Sequence, residues 1–237
     1  MPILKSAYKI SIINTIKFLF FLVIIIICLL LSFWQLDRGN IKSEQHKNFL
    51  SLSKKQPIKI RNLDINLENY TNIEIVGDFI KKPQFLLDNI VINRKPGYEI
   101  ITPLRFKNKI ILVNRGWIDN NYRQIVPDIN IIDQHSPITG YIYYYKKTFT
   151  LNEDVYTKKD SLIIQNIDIK SIEKILNQPV MPYILIMHEN QTNSYIRKKI
   201  YKKNPEYKHY MYAGQWLLFA IIALIFSFKL LKRKENE

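Results

Sequence analysis

His209 is followed at i+3, i+4 and i+7 by Tyr212, Ala213 and Trp216, spacings that put all four on one face of a helix. Far upstream, Trp34, Gln35 and Arg38 close a long apolar run, with Trp34 and Arg38 one turn apart. Lys17 to Arg38 is 21 residues and Lys229 back to His209 is 20, so each path climbs about 30 Å if helical. On antiparallel helices Arg38 and His209 would emerge at nearly the same level. An imidazole, a guanidinium and three aromatics meeting there would suit an amphipathic anionic cofactor such as haem: ring nitrogen on iron, guanidinium on a propionate, aromatics against the macrocycle. The same residues also suit a membrane–water interface, where Tyr and Trp sit at headgroup level. Both readings stand on position alone.

Other chemistries find little support. His46, His135 and His188 show no metal-ligand spacing with His209 or one another. His46 and His135 read as solvated surface, and His188 ends a strand beside Met187, where a copper site would be unusual. A serine-hydrolase elbow, a phosphate-binding loop and a dinucleotide fingerprint are missing. Asp78 and Asp88 read as turn residues rather than catalytic acids. Cys28 is the single cysteine, which excludes an internal disulfide, paired-thiolate metal or redox sites and covalent c-type haem attachment. The net charge is +15, but Lys and Arg are scattered without a basic stripe, so nucleic acid is not an expected partner.

The elements that must position these residues come next. Residues 18–36 and 210–228 are each nineteen residues without a charge, enough to cross a hydrocarbon core of about 30 Å. A cleavable signal would need small residues after the first run. Leu31-Ser32-Phe33-Trp34-Gln35-Leu36 is bulky there, which favours an uncleaved anchor. Lys5, Lys9 and Lys17 precede the first run, and Lys229, Lys232, Arg233 and Lys234 follow the second. By the positive-inside rule both ends stay in the cytoplasm. The expected organisation is therefore a cytoplasmic stretch 1–17, a transmembrane helix 18–36, an extracytoplasmic domain 37–209, a transmembrane helix 210–228 and a cytoplasmic tail 229–237. That tail holds no output domain, so a signalling kinase or cyclase is not expected. The lack of an Arg/Ser-rich presequence before the first run favours a bacterial inner membrane over a mitochondrial one.

Between the spans, short runs rich in Ile, Val and Tyr are broken by Asn, Asp, Gly and Pro, the pattern of a mainly-β (α+β) domain with one or two short helices. Strands are expected at 73–77, 98–106, 110–117, 138–149, 161–166, 183–187 and 194–201. The second and third form a hairpin about Lys107-Asn108-Lys109, and Pro103 marks its first strand as a sheet edge. One helix is expected after Asp168 as N-cap, with Ile169, Ile172 and Leu176 on one face and Pro179 beyond its end. Residues 39–57 are polar and continue the first helix toward a linker. In Val113-Asn114-Arg115-Gly116-Trp117, Gly116 would permit a bulge or close backbone approach and Trp117 would fill core. Arg115 would pair with a carboxylate or a propionate.

Taken in order, several of these segments resemble the surfeit locus protein 1 family of cytochrome c oxidase assembly factors. Phe33-Trp34-Gln35-Leu36-Asp37-Arg38 resembles the family's W-Q-L-x-R signature, and Gly77-Asp78-Phe79 its G-x-F segment. Gly97 to Leu104 is similar to its glycine-to-T-P-L strand, and Val113 to Ile118 to its V-N-R-G-W block. His209, Tyr212, Ala213 and Trp216 match the face opening its second span. The departures are Tyr207-Lys208, where the family carries paired Asn, and the tract 149–164, which lacks the usual Pro and Trp. The resemblance implies a non-enzymatic role in assembling the haem-bearing oxidase core subunit at the inner membrane, with the bilayer, that subunit and haem a synthase as partners. It also implies haem a as cofactor, with His209 as iron ligand; Arg38, Trp34, Tyr212 and Trp216 would surround it on the span geometry above. The alternative is a protein-interaction scaffold without a cofactor.

Overall fold

A computed structural model describes residues 2–62, 66–119, 129–132, 136–145, 156–158, 161–197 and 204–232, and statements of absence below concern these. The chain forms two compact units, Met1–Lys47 with Tyr201–Glu237, and Asn48–Ile200. The first contains most of α1 (Pro2–Ser53) and all of α3 (Tyr207–Lys232). Both helices are long and apolar enough to cross a membrane. The first apolar run and the polar segment after it form one uninterrupted helix, as the absence of Pro between Ile3 and Ser53 allows.

The two helices run antiparallel. Phe21 stacks on Phe226 with ring centroids 6.4 Å apart, and Ser32 Oγ donates to the Ala213 carbonyl at 3.0 Å. The buried positions explain how they approach so closely. On α3 these are Ala213, Ala220, Ala223 and Ser227, and on α1 Cys28, Ser32 and Gly39. The α3 set advances by seven, three and four residues, the period of a seam between paired helices. Small side chains let the two backbones approach closely. The remaining surface is apolar and exposed, with Leu30, Phe33, Leu218 and Phe226 all more than half accessible.

The second unit is a mixed sheet built from β1 (Ile58–Lys59), β2 (Asn72–Ile75), β3 (Asp78–Phe79), β4 (Gln84–Ile92), β5 (Lys95–Phe106), β6 (Lys109–Asp119), β7 (Ile138–Tyr143), β8 (Tyr156–Lys158), β9 (Ser161–Ile164) and β10 (Val180–Met187). Their order is β1-β2-β7-β10-β6-β5-β4-β9-β8, with β3 pairing a further part of β5. β1/β2, β6/β10 and β4/β9 are parallel and the other pairs antiparallel. Among the described residues the unit's one further helix is α2 (Ile169–Leu176). This is the α+β architecture expected.

Burial on both faces accounts for the central strands. Ile111, Val113, Leu104, Leu185 and Met187 enter one apolar cluster, while Ile110, Leu112, Ile101, Ile184 and Ile186 enter another. Neighbours along a strand point to opposite faces, so a strand covered on both sides reads as an unbroken apolar run. α2 contributes Ile172, Ile169 and Leu176 to the second cluster. Its Asp168 cap accepts from Lys170 N at 3.1 Å and its end turns at Asn177 in the left-handed region. The helix is as read from sequence.

Three expectations need correcting. Pro103 does not mark an edge, because β5 lies between β6 and β4. Its carbonyl accepts from Ile80 N at 2.8 Å, on the side where β4 gives way to β3. A strand residue's N–H and C=O point the same way, so the missing donor falls at that handover and the β6 ladder loses nothing. Asp78 and Asp88 are strand residues in β3 and β4, the latter where register shifts between Leu87 and Ile90. Lastly, the strand expected at 194–201 is, within the described residues, one bridge between Ile196 and Trp117. Residues 146–149 and 198–201 of the expected strands, and His135, lie outside the described residues.

Candidate functional site

His209 stands in the first turn of α3, half-buried in the seam. Its Nδ1 lies 2.8 Å from Oε1 of Gln35 on α1. Beyond Gln35 along α1, Asn40 Oδ1 accepts from Oη of Tyr210, the residue after His209, at 2.9 Å. A Cβ on Gly39 would overlap the Tyr210 ring, so this glycine is the space the tyrosine occupies. Ser32–Ala213, Gln35–His209 and Asn40–Tyr210 thus form three polar rungs between the helices. In an apolar medium such bonds contribute about 0.6–2 kcal/mol each, and together they set how one helix slides against the other.

The expected residues divide between the seam and its flanks. His209, Ala213 and Trp216 follow the seam, whereas Tyr212 is exposed beside it. Trp34 is exposed and Arg38 lies over its ring at 5.8 Å, a cation–π pair one turn apart on α1. The ring contact of His209 is therefore with Gln35, and the guanidinium of Arg38 is held by an indole on the flank. Trp216 packs edge-on against Phe219 with centroids 5.8 Å apart. Gln35 was legible in sequence as part of the W-Q-L-x-R segment but not as the partner of His209, and Asn40 carried no signal beyond being a polar residue after an apolar run.

The residue types are those a haem would use: one imidazole whose second nitrogen has no hydrogen bond among the described residues, an exposed guanidinium, and indole and phenol surfaces. Among the described residues no three of His, Cys, Asp and Glu are grouped to ligate a metal ion.

Inside the sheet unit, Arg115 answers the question of its partner differently from either expected carboxylate. It is the bulge residue of β6, skipped in register between Ile100↔Gly116 and Ile101↔Asn114, and it is fully buried. Nε donates to Asn193 O at 2.8 Å, and one terminal nitrogen donates to Gln84 Oε1 and Ile129 O, both at 3.0 Å. The other donates to Asn130 O at 3.1 Å. All four acceptors are neutral. Phe79 and Tyr195 lie against the guanidinium at 5.9 and 5.1 Å. Burial pushes its pKa below the ordinary value, with Tyr195 acting in the opposite sense. Gly116 adopts φ +119° and a Cβ there would stand 2.5 Å from the Tyr195 carbonyl, so both conformation and space call for glycine. Trp117 is buried and donates Nε1–H to Ile90 O at 3.0 Å. The V-N-R-G-W block is a clamp on two loops, and its arginine is enclosed.

His188 is likewise absorbed by structure. Asn72 donates from Nδ2 to Lys55 O at 2.7 Å, which turns its Oδ1 toward His188 Nε2 at 2.9 Å. Burial, then Arg197, hold the imidazole below its ordinary pKa. Arg197 also lies over Tyr141, whose phenol burial pushes up to about 12.

With this geometry in hand, comparison with known proteins is direct. The model of the family described as "SURF1 family" matches residues 22–221, from within the apolar part of α1 to within that of α3. A SURF1-like protein of Rickettsia bellii (strain RML369-C) is 32% identical over 112 residues, covering 44% of this chain and 44% of its own length. One from Rickettsia conorii (strain ATCC VR-613 / Malish 7) is 29% identical over 123 residues, 50% of this chain and 51% of its own. The chain thus spans about half the length of the relatives it matches. The family match runs through both helices and the whole sheet unit, and this chain belongs to the SURF1 family.

Proposed function

We propose that this chain is a two-span inner-membrane protein, both ends cytoplasmic, that assists assembly of cytochrome c oxidase by holding haem a for the nascent haem-bearing core subunit. Spans at 18–36 and 210–228 put residues 37–209 on the far side, in keeping with the cationic flanks at Lys17 and Lys229. The observation that carries the cofactor reading is His209 in the seam of α1 and α3, one ring nitrogen engaged by Gln35. His209 would ligate the iron and Arg38 would hold a propionate, with Trp34, Tyr212 and Trp216 against the macrocycle. Haem a supplies the redox-active iron that the oxidase needs. The chain supplies a nitrogen donor, a cation and an apolar setting, and it passes the cofactor on without altering it. The core subunit is the receiving partner and haem a synthase the donor.

Co-expression with haem a synthesis enzymes, followed by an absorption spectrum of the detergent-purified chain, tests this reading. We expect a haem a spectrum in the wild type that His209→Ala reduces. Unchanged haem stoichiometry and spectrum in His209→Ala would remove His209 as ligand. A colourless wild type that still co-purifies with the core subunit would replace the cofactor reading with a scaffold.

A further inference from the structure

We infer that Gln35 is a positioning residue that holds His209 in the tautomer with the proton on Nδ1, leaving the Nε2 lone pair as the donor for a ligand. The inference rests on the cofactor reading above for the identity of that ligand, and on the helix pair alone for the tautomer. A carboxamide oxygen can only accept a hydrogen bond. With the Gln35 amide turned so that Oε1 lies 2.8 Å from Nδ1, a neutral imidazole in this pair carries its proton on Nδ1. In a neutral ring the other nitrogen is then a bare acceptor. Iron-binding histidines commonly have this arrangement, their second nitrogen donating to a fixed oxygen that orients the ring.

The oxygen is fixed because α1 is fixed. Along α1, Ser32, bonded to Ala213, precedes Gln35 by about a turn, and Asn40, bonded to Tyr210, follows it. Cys28, Ala213, Ala220 and Ala223 leave little room for the helices to slide. Gln35 is half-buried in that seam rather than free in solvent. A carboxylate at this place would also accept from Nδ1–H, but it would bring a full charge to the edge of an apolar segment. The neutral amide orients the ring without that cost.

The test uses the full chain in detergent, without haem, with nitrogen-15 in its histidines. Long-range nitrogen–proton spectra, taken at a pH where imidazoles are neutral, report which ring nitrogen of His209 carries the proton. We expect the Nδ1–H form to dominate in the wild type and to give way to a mixture rich in Nε2–H in Gln35→Leu. In Gln35→Glu, which keeps an accepting oxygen, Nδ1–H should persist, so a misfolded leucine variant does not decide the matter. Nε2–H dominant in the wild type, or one distribution in wild type and Gln35→Leu, would overturn the inference. After haem a loading, Gln35→Leu should bind about 10- to 100-fold more weakly, with a weakened iron–nitrogen stretch in the resonance Raman spectrum. An unchanged stretch would overturn the positioning role. If His209→Ala keeps the wild-type haem spectrum while the tautomer shift is seen, the cofactor reading fails and the role of Gln35 stands.

Discussion

Replacing Arg115 with methionine keeps most of the stem's volume and removes every donor of the guanidinium. Four oxygens within 3.1 Å lose a charged donor, Asn193 O, Gln84 Oε1, Ile129 O and Asn130 O, and Thr102 Oγ1 loses a longer contact at 3.5 Å. At about 1.5–3 kcal/mol for each hydrogen bond to a charged group, the gross loss is on the order of 6–12 kcal/mol. Two effects reduce it. Gln84 Oε1 still accepts from Thr102 Oγ1 at 2.8 Å, and Ile129 O from Gln84 Nε2 at 3.2 Å. Burying a guanidinium among neutral partners also costs several kcal/mol, and methionine relieves that cost. A net destabilisation of about 3–5 kcal/mol remains, a large part of the roughly 5–15 kcal/mol that keeps a domain folded. At about 2–4 °C per kcal/mol for a domain of this size, the midpoint should fall by about 10 °C. The assay is thermal unfolding of the full chain in detergent, followed by the circular dichroism of the sheet. Arg115→Lys, which keeps the charge but loses the planar fork, should fall in between. A shift below about 2 °C for Arg115→Met would show that the loops at 129–130 and 193–195 are held by something else.

Three other perturbations test separate parts of the structure. Because burial holds His188 below its ordinary pKa, the unfolded state binds the proton more readily. Its contribution to stability is therefore present above the unfolded value of about 6.5 and lost as pH falls through the folded one. Urea midpoints measured from pH 8 downward should show that loss, and His188→Gln should flatten it. Gly116→Val places a β-branched side chain at φ +119° against the Tyr195 carbonyl, and should destabilise the sheet unit by about 3 kcal/mol or more in the same melt. At the helix seam, Gly39→Leu should cost about 1–3 kcal/mol. Gly214→Leu, where a Cβ meets nothing within 4 Å, should leave the melting point of the helix pair unchanged.

Sequence alone determined the features set by neighbours along the chain. Two charge-free runs, the β5–β6 hairpin, the capped helix after Asp168 and the family motifs all depend on periodicity, composition or capping within a few residues. Residues 110–117 were legible as one strand of that hairpin, but that its run of Ile, Ile, Leu and Val is covered on both faces only the sheet shows. Tertiary structure decided what depends on partners far away. β10 inserts between β7 and β6, and no local signal states that order. Pro103 sits inside the sheet because two different strands flank β5 in succession, and Asp88 sits in a strand because a bulge absorbs the break it would otherwise make. Arg115 was legible as part of a motif, but its enclosure depends on carbonyls 14 to 78 residues away. The cluster at the helix ends divides the same way. Matching span lengths brought His209 and Arg38 to one expected height, since rise per residue is a local constant. Which side chain of α1 meets the imidazole depends on the rotation of each helix about its axis, and the packing of alanines, two serines, a cysteine and a glycine in the seam settles that rotation in favour of Gln35.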